Sequence, residues 1–542
     1  MAKKQSNSLE KNATFLMVAA LISKMIGMLY KSPLSSVLGG ASYALFQYAQ
    51  NVYFILLMIS SFSIPQAVSK IMAEKIAFRR YRDAQKVFYG ALLYAAVAGG
   101  AVSLFCVFGA GILVPQSMEG ARLALRFLAP TIFLSGILGV FRGYFQAYRN
   151  MMPTSLSQII EQIFVAVVAL LMASTMIRMH GGSSSAGAEE WGAAGATLGT
   201  GAGVLSALIL MALIYLLNKR VINRRLAKDT RSLDEPMGEV MGQIIKIIMP
   251  IILSAFIYNV NGFIDSYMYS GILGYKGEDP ELIKTLYAEY GYYMTLINIP
   301  LTLASTAPTS MIPEVSAEYA RHNLAGARQK IDRATWISML ISIPCCVGLA
   351  VLGGPITRLI FPSTNGASAV LMLLGAITIV LNGNSNISNG VLQGIGKPRI
   401  PMINAFIALV VDVIAMALLL IFTKLGIYSI VVSMIIYAVV MCFLNDRAMK
   451  QYLRYKNPWS YAYLKPLLAC VPMGVVAGGV YYLLYRFLHR NFLCLIPALC
   501  LAVLTYFVVY LRISDPEEDE QLSFLPGGRK LIALASVVRG RR

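Results

Sequence analysis

The segment AEKIAFRRYRDAQK, Ala73 to Lys86, returns 244 residues later as AEYARHNLAGARQK, Ala317 to Lys330, without a gap. The segment RGYFQAYRNMMP, which begins at Arg142, returns with one insertion as NGVLQGIGKPRIP, which begins at Asn389. Both pairs lie in breaks between long apolar stretches, at nearly the same offset. The pattern predicts two similar halves that run in the same orientation, an arrangement found in membrane transporters.

The apolar content of the chain predicts that a bilayer surrounds most of it. Of its 542 residues, 57% are hydrophobic and 13% are charged, and the mean hydropathy is +0.65. A soluble protein is about half apolar and about a quarter charged. We therefore expect an all-α polytopic membrane protein with spans of about 20 apolar residues. Length and polar breaks predict about 14 transmembrane helices, near 12–34, 42–66, 87–114, 121–147, 154–177, 194–217, 241–268, 286–312, 332–352, 367–392, 400–422, 427–445, 466–485 and 493–512.

The basic residues are concentrated in alternate loops. The net charge is +20, with six basic residues from Lys70 to Lys86, six from Lys219 to Arg231 and five from Arg447 to Lys465. The positive-inside rule assigns these loops to the cytoplasm, which puts both termini on the cytoplasmic side. Since topology explains the charge, we expect no nucleic-acid partner.

The repeat and the spans predict five parts of the chain. An N-terminal lobe of six helices covers 1–217, and a basic cytoplasmic linker covers 218–240. A second lobe of six helices covers 241–445. Helices 13 and 14, over 446–513, lie outside the repeat, and 514–542 forms a cytoplasmic tail.

Charged residues inside the predicted spans are candidate site residues, because an ionisable group in the bilayer is costly unless it faces protein or water. Lys24 lies near the middle of helix 1 and is expected to face a cavity. Lys31 lies nearer the end of helix 1, where it faces the cavity or snorkels to the headgroups. Arg142, late in helix 4, and Glu161, two turns into helix 5, flank a short hairpin. They form either a salt bridge that holds the hairpin or part of a substrate site.

Acidic and amide side chains form a candidate set for coupling to Na⁺ or H⁺. Asp412 lies in the middle of helix 11, eight residues after Asn404. Asp265 ends helix 7, which also carries Asn259. An acidic group at mid-membrane is a usual device for ion coupling, and amide oxygens are ligands that a hard cation accepts.

Several functional classes are excluded by what the sequence lacks. The segment GVLQGIGKP from Gly390 does not have the glycine spacing of a nucleotide-binding loop. The seven cysteines lie in or beside apolar segments without C-x-x-C spacing, and the three histidines are far apart, which argues against disulfides and zinc. We expect no attached ATPase, no cofactor and no enzymatic activity. Transport would then depend on an ion gradient, the membrane potential or a downhill substrate.

Three segments carry a family resemblance. They are ISKMIGMLYKSPLSSVLG from Ile22, IPQAVSKIMAEK from Ile64 and FRGYFQAYRNMMPTSLSQIIEQI from Phe141. They resemble the polysaccharide-exporter branch of the multidrug/oligosaccharidyl-lipid/polysaccharide superfamily. Within it the chain is most similar to Gram-positive YtgP and SpoVB proteins, relatives of the MurJ lipid II flippases, over nearly its whole length.

The resemblance implies two six-helix lobes in a V around a central cavity that opens alternately to each side. It implies translocation of undecaprenyl-pyrophosphate-linked peptidoglycan precursor, lipid II, across the bacterial cytoplasmic membrane. It also implies that Lys24 takes the place of a cavity arginine, that helices 13 and 14 form a groove for the lipid tail, and that some relatives bind Na⁺ between helices 7, 11 and 12. The sequence departs from the MurJ branch at Phe54 to Leu57, where that branch has an arginine pair.

Other functions remain open alongside lipid II translocation. One is the export of another lipid-linked polysaccharide repeat unit, such as a capsule or teichoic precursor. Another is cation-coupled multidrug export, which needs no helices 13 and 14. A membrane glycosyltransferase ranks last, because it needs a large extracytoplasmic loop and the longest one here has about fifteen residues. We expect a lipid-linked oligosaccharide substrate, contact with membrane lipids, and a monomer.

Overall fold

The computed structural model describes residues 22–180 and 187–515, without the side chains of residues 306–310. Helices make up nearly all of these residues. The described residues contain no strand, which confirms the all-α fold. The helices are α1 (22–29), α2 (Lys31–Ser60), α3 (Ile64–Ala77), α4 (Tyr81–Phe108), α5 (Ala110–Leu113), α6 (Ala121–Ala147), α7 (Met152–Met179), α8 (Ala188–Leu217), α9 (Lys219–Ala227), α10 (Met237–Tyr275), α11 (Pro280–Ala320), α12 (Leu324–Ile360), α13 (Ala367–Gly375), α14 (Ile377–Gly394), α15 (Arg399–Phe422), α16 (Tyr428–Leu453), α17 (Lys465–Leu488) and α18 (Asn491–Ile513).

The chain divides into two compact units, Met1–Ala288 and Glu289–Arg542. The boundary falls inside α11, so that helix begins in the first unit and continues in the second. Residues 12–21 of the first predicted span and 516–542 of the predicted tail lie outside the described residues. The predicted lobes and the cytoplasmic position of both termini stay predictions.

The described helices confirm a multi-pass membrane protein. Eleven of them are long and apolar enough to cross a membrane, or up to twelve when the bent pair α13 and α14 counts as one span. The predicted count of 14 is not confirmed. Ile22–Ala77 counts once in this total, although Gly39 interrupts it with a left-handed φ of 73°. That break separates the first two predicted spans.

The second repeated segment has the same backbone conformation in both units. Arg149 and Gly396, which are 247 residues apart, both take a left-handed φ, 58° and 79°. The N–H after each of them bonds to the carbonyl five residues back, at 3.1 and 2.9 Å. This is the bond pattern of a Schellman motif, which closes the end of a helix. The repeat is therefore one of structure as well as of sequence.

The predicted pair Gly143 and Gly390 has matching packing roles. A Cβ on Gly143 would lie 2.8 Å from the carbonyl oxygen of Pro65 in α3. A Cβ on Gly390 would lie 2.3 Å from Cδ1 of Ile312 in α11. Pro65 and Ile312 have the same spacing as the two glycines. In each unit a glycine lets one helix approach an earlier one closely.

The first repeated segment is shifted by one residue from its gapless sequence alignment. Arg79 and His322, which are 243 residues apart, take φ values of 62° and 58° at helix ends. The helices that follow begin at Tyr81 and Leu324, again 243 residues apart. In this segment the structural repeat follows the helix ends, which are 243 residues apart. The identical residues of the sequence alignment, which are 244 residues apart, are therefore not structurally equivalent.

The core of the first unit includes α10. Val240, Ile244 and Ile248 of α10 are fully buried in one cluster with Ile64 of α3 and Phe88 of α4. Their spacing of four residues puts them on one stripe of the helix. Because lipid tails are as apolar as these side chains, the contact gains van der Waals packing and little hydrophobic free energy.

The segment between α9 and α10, part of the predicted linker, is bonded to the start of α4. The carboxylate of Asp229 is buried and accepts the N–H of Arg82 at 2.7 Å. It also accepts the N–H groups of Arg231 and Ser232 at 2.8 and 3.1 Å, and the Ser232 hydroxyl at 2.6 Å. Burial acts to raise the pKa of Asp229, but these hydrogen bonds together outweigh it and lower the pKa to about 2.

Two ion pairs extend this attachment toward α10. Lys86 donates to the carboxylate of Asp234 at 2.5 Å, and Lys75 pairs with the carboxylate of Glu235. The hydrogen bond from each lysine lowers the pKa of its acidic partner. The part of the linker from Asp229 to Glu235 is thus held by a backbone N–H of α4 and by lysine side chains of α3 and α4.

In the second unit α17 and α18 pack against α12. The indole N–H of Trp336 donates to the hydroxyl of Tyr510 at 2.8 Å. The hydroxyl of Tyr506 donates to the carbonyl of Leu340 at 3.0 Å. All four residues are buried. The helices predicted outside the repeat therefore belong to the core of this unit.

We predict that Asp229→Asn destabilises the first unit. The amide has one acceptor oxygen in place of two, so at least one N–H donor loses its partner at a cost of about 1–3 kcal/mol. The ionised carboxylate contributes stability above its ordinary pKa of 3.8, and this contribution is lost as the pH falls toward the lowered pKa of about 2. The measurement is the midpoint of thermal unfolding of the purified protein near pH 7.

Asp234→Asn is the matched control, since the side chain of Asp234 is 84% exposed. An exposed ion pair contributes little to stability, so the midpoint should hardly move. An equal loss in the two variants would show that Asp229 is not the anchor of this segment.

Candidate functional site

Arg142 and Glu161 form an ion pair between α6 and α7. Nη2 of Arg142 donates to Oε2 of Glu161 at 2.6 Å, and Nε donates to Oγ of Ser157 at 3.1 Å. The Arg142 and Glu161 side chains are 17% and 19% exposed. The predicted salt bridge is therefore present, and a role in substrate binding stays a prediction.

The hairpin geometry explains why these groups meet. The helix α6 ends at Ala147 and α7 begins at Met152, so the end of α6 lies close to the first turns of α7. Ser157 and Glu161 are four residues apart and lie on one face of α7. Nη1 of Arg142 makes no hydrogen bond with the described residues. The guanidinium thus keeps donors for a further acceptor.

The first helix approaches α7 beside this pair. A Cβ on Gly27 would lie 2.7 Å from Oε1 of Gln162, the residue after Glu161. Lys24 lies on α1 and Lys31 is the first residue of α2, seven residues later. Tyr30, between the two helices, keeps a helical conformation, so the two lysines lie on one side, about two turns apart. Lys24 is exposed and Lys31 is half-buried. Lys24 is thus on the helix that touches the residue next to Glu161, and Lys31 begins the helix that follows.

The interior of the first unit holds further polar pairs that sequence reasoning missed. Gln50 of α2 donates to Thr200 of α8 at 2.7 Å, and Tyr53 of α2 bonds with Ser135 of α6 at 3.3 Å. Small polar residues are common in membrane helices because they also serve in packing. Their presence in an apolar run therefore gives no signal of a site.

The run from Asn382 to Gly390 in α14 is very polar for a membrane helix, and part of it bonds to neighbouring helices. Asn389 accepts a hydrogen bond from Asn445 at 2.8 Å, and Asn445 accepts one from Asn404 at 2.9 Å. The three amides join α14, α15 and α16. Asn404, a candidate cation ligand, acts as a donor in this chain and keeps its oxygen for another partner.

The four candidate coupling residues are divided between the two units. In the second unit Asp412 is fully buried on the same side of α15 as Asn404. In the first unit Asp265 is fully buried on α10, and Asn259 is half-buried and lies on another side of that helix. In the described part of the chain, no group of three or more His, Cys, Asp or Glu residues could hold a metal ion. Ion coupling stays a prediction.

An apolar groove of about 460 Å³ lies in the second unit among α11, α12, α17 and α18. Its walls include Leu303, Pro344, Leu349, Leu499 and Phe507, and none of the described side chains that line it is charged. A groove of this composition suits a hydrocarbon chain. Two of its walls are the helices from which the resemblance implies a groove for a lipid tail.

These features define the class of the protein: a multi-pass α-helical membrane protein. The model of one family, described as lipid II flippase MurJ, matches residues 81–502. Because this match covers more than half of the chain, the chain belongs to the MurJ family. The predicted family resemblance is confirmed.

Curated relatives come from Bacillus subtilis (strain 168). Lipid II flippase MurJ is 22% identical over 429 residues, which are 76% of this chain and 77% of the relative. Stage V sporulation protein B is 22% identical over 404 residues, which are 74% of this chain and 76% of the relative.

Solved structures show the same fold. An inward closed conformation of lipid II flippase MurJ has a TM-score of 0.64 at 15% identity and covers 91% of this chain and 97% of its own. An inward-facing multidrug resistance MATE transporter has a TM-score of 0.62 at 17% identity and covers 81% of this chain and 99% of its own.

We predict that Glu161→Ala lowers the stability of the first unit by about 2–3 kcal/mol, because it leaves a partly buried guanidinium without a counter-charge. The double variant Arg142→Ala/Glu161→Ala should recover part of this loss, since it removes the uncompensated charge as well. Thermal unfolding of the detergent-purified variants measures both effects.

Lys450→Ala serves as the control for charge removal. Lys450 is 58% exposed and pairs with Asp446 one turn away, so its loss should leave the unfolding midpoint nearly unchanged. A double variant less stable than Glu161→Ala would contradict the assignment of the loss to the unpaired guanidinium.

Proposed function

We propose that this protein translocates lipid II, the undecaprenyl-pyrophosphate-linked peptidoglycan precursor, across the bacterial cytoplasmic membrane by alternating access. The observation that carries the proposal is the partly buried Arg142–Glu161 pair, next to the lysine-bearing first helix, in a chain of the MurJ family. Both termini are then cytoplasmic, as the positive-inside rule requires. The protein acts as a monomeric transporter and not as an enzyme.

The chemistry of a pyrophosphate supports a site at Arg142. A pyrophosphate diester carries about two negative charges, so inside the membrane it needs cationic partners with well-oriented donors. The planar guanidinium of Arg142 binds phosphate oxygens through two parallel N–H groups. When substrate enters, the pyrophosphate takes over part of the role that Glu161 has in the empty site. Lys24 supplies the second cation.

The apolar groove supports a polyprenyl tail. It offers about 460 Å³ of space, its described lining residues are uncharged, and α17 and α18 line it. A drug exporter has a substrate without such a tail, so the groove favours a lipid-linked cargo over a drug. The flippase structure also covers more of this chain than the multidrug transporter does, 91% against 81%.

A second candidate is the export of another lipid-linked polysaccharide repeat unit. Stage V sporulation protein B has the same identity to this chain as lipid II flippase MurJ, 22% each. A cationic site for pyrophosphate and a groove for a polyprenyl chain would serve any undecaprenyl-pyrophosphate glycan. Energy for either cargo comes from the membrane potential or from Na⁺ or H⁺, with Asp412, Asn404, Asp265 and Asn259 as the candidate coupling residues and no cofactor.

We predict that the wild-type protein rescues a Gram-positive strain depleted of its own lipid II flippases and that Lys24→Ala does not. The lysine supplies a charge that the pyrophosphate needs, so its removal should abolish growth on depletion. Lys24→Arg keeps the charge and should rescue. Membrane fractions must contain the three proteins in equal amounts.

The results of this complementation experiment distinguish the proposed function from the proposed role of Lys24. Rescue by Lys24→Ala as well would keep the function and remove the lysine from the site. Failure of the wild-type protein, present in the membrane at normal level, would contradict lipid II as the cargo and favour another lipid-linked glycan.

A charge exchange tests whether Arg142 does more than hold the hairpin. In Arg142→Glu/Glu161→Arg the ion pair can form again, so the unfolding midpoint should return to near that of the wild type. Transport should stay lost, because the guanidinium now projects from α7 and no longer meets the pyrophosphate from α6. Growth rescue by the exchanged pair would show that the pair is structural only.

A further inference from the structure

A cleft of about 210 Å³ lies in the first unit where α8 ends and the hairpin of α6 and α7 turns. Its polar wall contains Arg225 of α9, Asn218 at the start of α9 and Asn150 of the hairpin, and its aromatic wall contains Tyr144 and Tyr148. The guanidinium of Arg225 lies 5.3 Å from the centre of the Tyr148 ring. This cleft is separate from the Arg142–Glu161 pair and has no part in the proposed transport site.

The helix α9 gives the cleft a strongly positive border. It has no buried residue, and the run from Lys219 to Arg231 contains six basic side chains. The one acidic residue of this run is Asp229, and its carboxylate already accepts four hydrogen bonds, one from Arg82 of α4 and three from Arg231 and Ser232. The exposed basic groups on α9 are therefore not neutralised by an acidic neighbour within the run.

The position of α9 places this border at the membrane surface. The helix begins two residues after α8, an apolar span that ends at Leu217. Leu216, Leu217 and Val221 are 58%, 73% and 48% exposed, so apolar side chains continue from the span onto α9. An exposed apolar face beside exposed basic residues is typical of a helix that lies in the headgroup layer.

The polar groups of the cleft match one kind of headgroup. The guanidinium of Arg225 offers paired N–H donors to a phosphate, and the amide of Asn150 adds a further donor. The amide nitrogen of Asn218 donates to the carbonyl of Ile214 at 2.7 Å, so its oxygen remains as an acceptor for a hydroxyl group. A phosphodiester that carries a hydroxylated headgroup satisfies both kinds of group.

We propose that this cleft binds the headgroup of an anionic phospholipid with hydroxyl groups, of the phosphatidylglycerol type. Arg225 binds the phosphate, and the basic side chains of α9 contact the anionic headgroups around it. The acyl chains lie along the exposed apolar side chains at the end of α8. The bound lipid is a structural ligand of the membrane surface, distinct from the transported cargo.

The test uses the full-length protein in detergent, titrated with phosphatidylglycerol and, separately, with phosphatidylcholine, and bound lipids are counted by native mass spectrometry. The wild type should bind one phosphatidylglycerol in preference to phosphatidylcholine. Arg225→Gln should weaken this binding by about fivefold, the effect of one basic residue at an anionic surface. Lys424→Gln removes an exposed lysine after α15 and should bind as the wild type does.

Three further arms make the result decisive. Arg225→Lys keeps the positive charge but loses the paired N–H donors of the guanidinium. If the cleft holds the phosphate, this variant should keep part of the phosphatidylglycerol binding of the wild type. Inorganic phosphate in excess should not displace the lipid; displacement would mean that the site takes a free anion. Unchanged binding in a folded Arg225→Gln, together with loss in Lys219→Gln/Arg220→Gln/Arg224→Gln, would overturn the cleft in favour of diffuse surface charge. Equal binding of the two lipids by the wild type would overturn the proposal as well.

Discussion

A charge inside hydrocarbon has no water to bind, so its free energy depends on the partner that a neighbouring helix offers. In the first unit the partner of Arg142 is Glu161, and the two meet because a short hairpin brings the end of α6 close to the first turns of α7. The next residue completes the arrangement. Gly143 lies so close to Pro65 that a Cβ would come within 2.8 Å of the proline carbonyl oxygen. Two adjacent residues thus fix α6 against α7 by charge and against α3 by shape.

The repeat made much of this predictable from sequence. Gly143 and Gly390 were paired by the alignment, and each proves to allow a close helix contact in its own unit. The left-handed positions Arg149 and Gly396 follow at the same spacing, although only one of them is a glycine. A local backbone requirement is therefore visible in sequence when two copies of it can be compared. Apolar length also predicted a multi-pass protein, because the bilayer imposes a minimum length on each helix that crosses it. Eleven of the described helices, or up to twelve with the bent pair, have that length and composition, against the fourteen predicted.

What the sequence did not reveal depends on contacts between distant segments. Asp229 looks like an isolated acid in a basic linker, yet it collects four hydrogen bonds, one of them from the N–H of Arg82 at the start of α4. Glu289 is similar: it is buried in α11 and accepts hydrogen bonds from the backbone N–H groups of Asn365 and Ser368 at 2.7 and 2.8 Å. Every residue except proline has a backbone N–H group, so the partners of such a carboxylate cannot be recognised in the sequence by residue type. Only the fold brings its donors together.

The fold by itself does not choose the cargo. Solved structures with this fold carry names of a lipid II flippase and of multidrug transporters, so selection must come from side chains that meet the substrate. A site for pyrophosphate has two opposed requirements inside a membrane: cations when the substrate is present and a counter-charge when it is absent. A fixed guanidinium with a carboxylate on the adjacent helix meets both, because the anionic cargo can replace the carboxylate as the partner. Arg142 has this arrangement, with Glu161 on one side of its fork and Nη1 without a bond to the described residues. In the proposed site the cost of the empty state would thereby be limited, and binding of the anion would exchange one partner of Arg142 for another instead of burying a new charge.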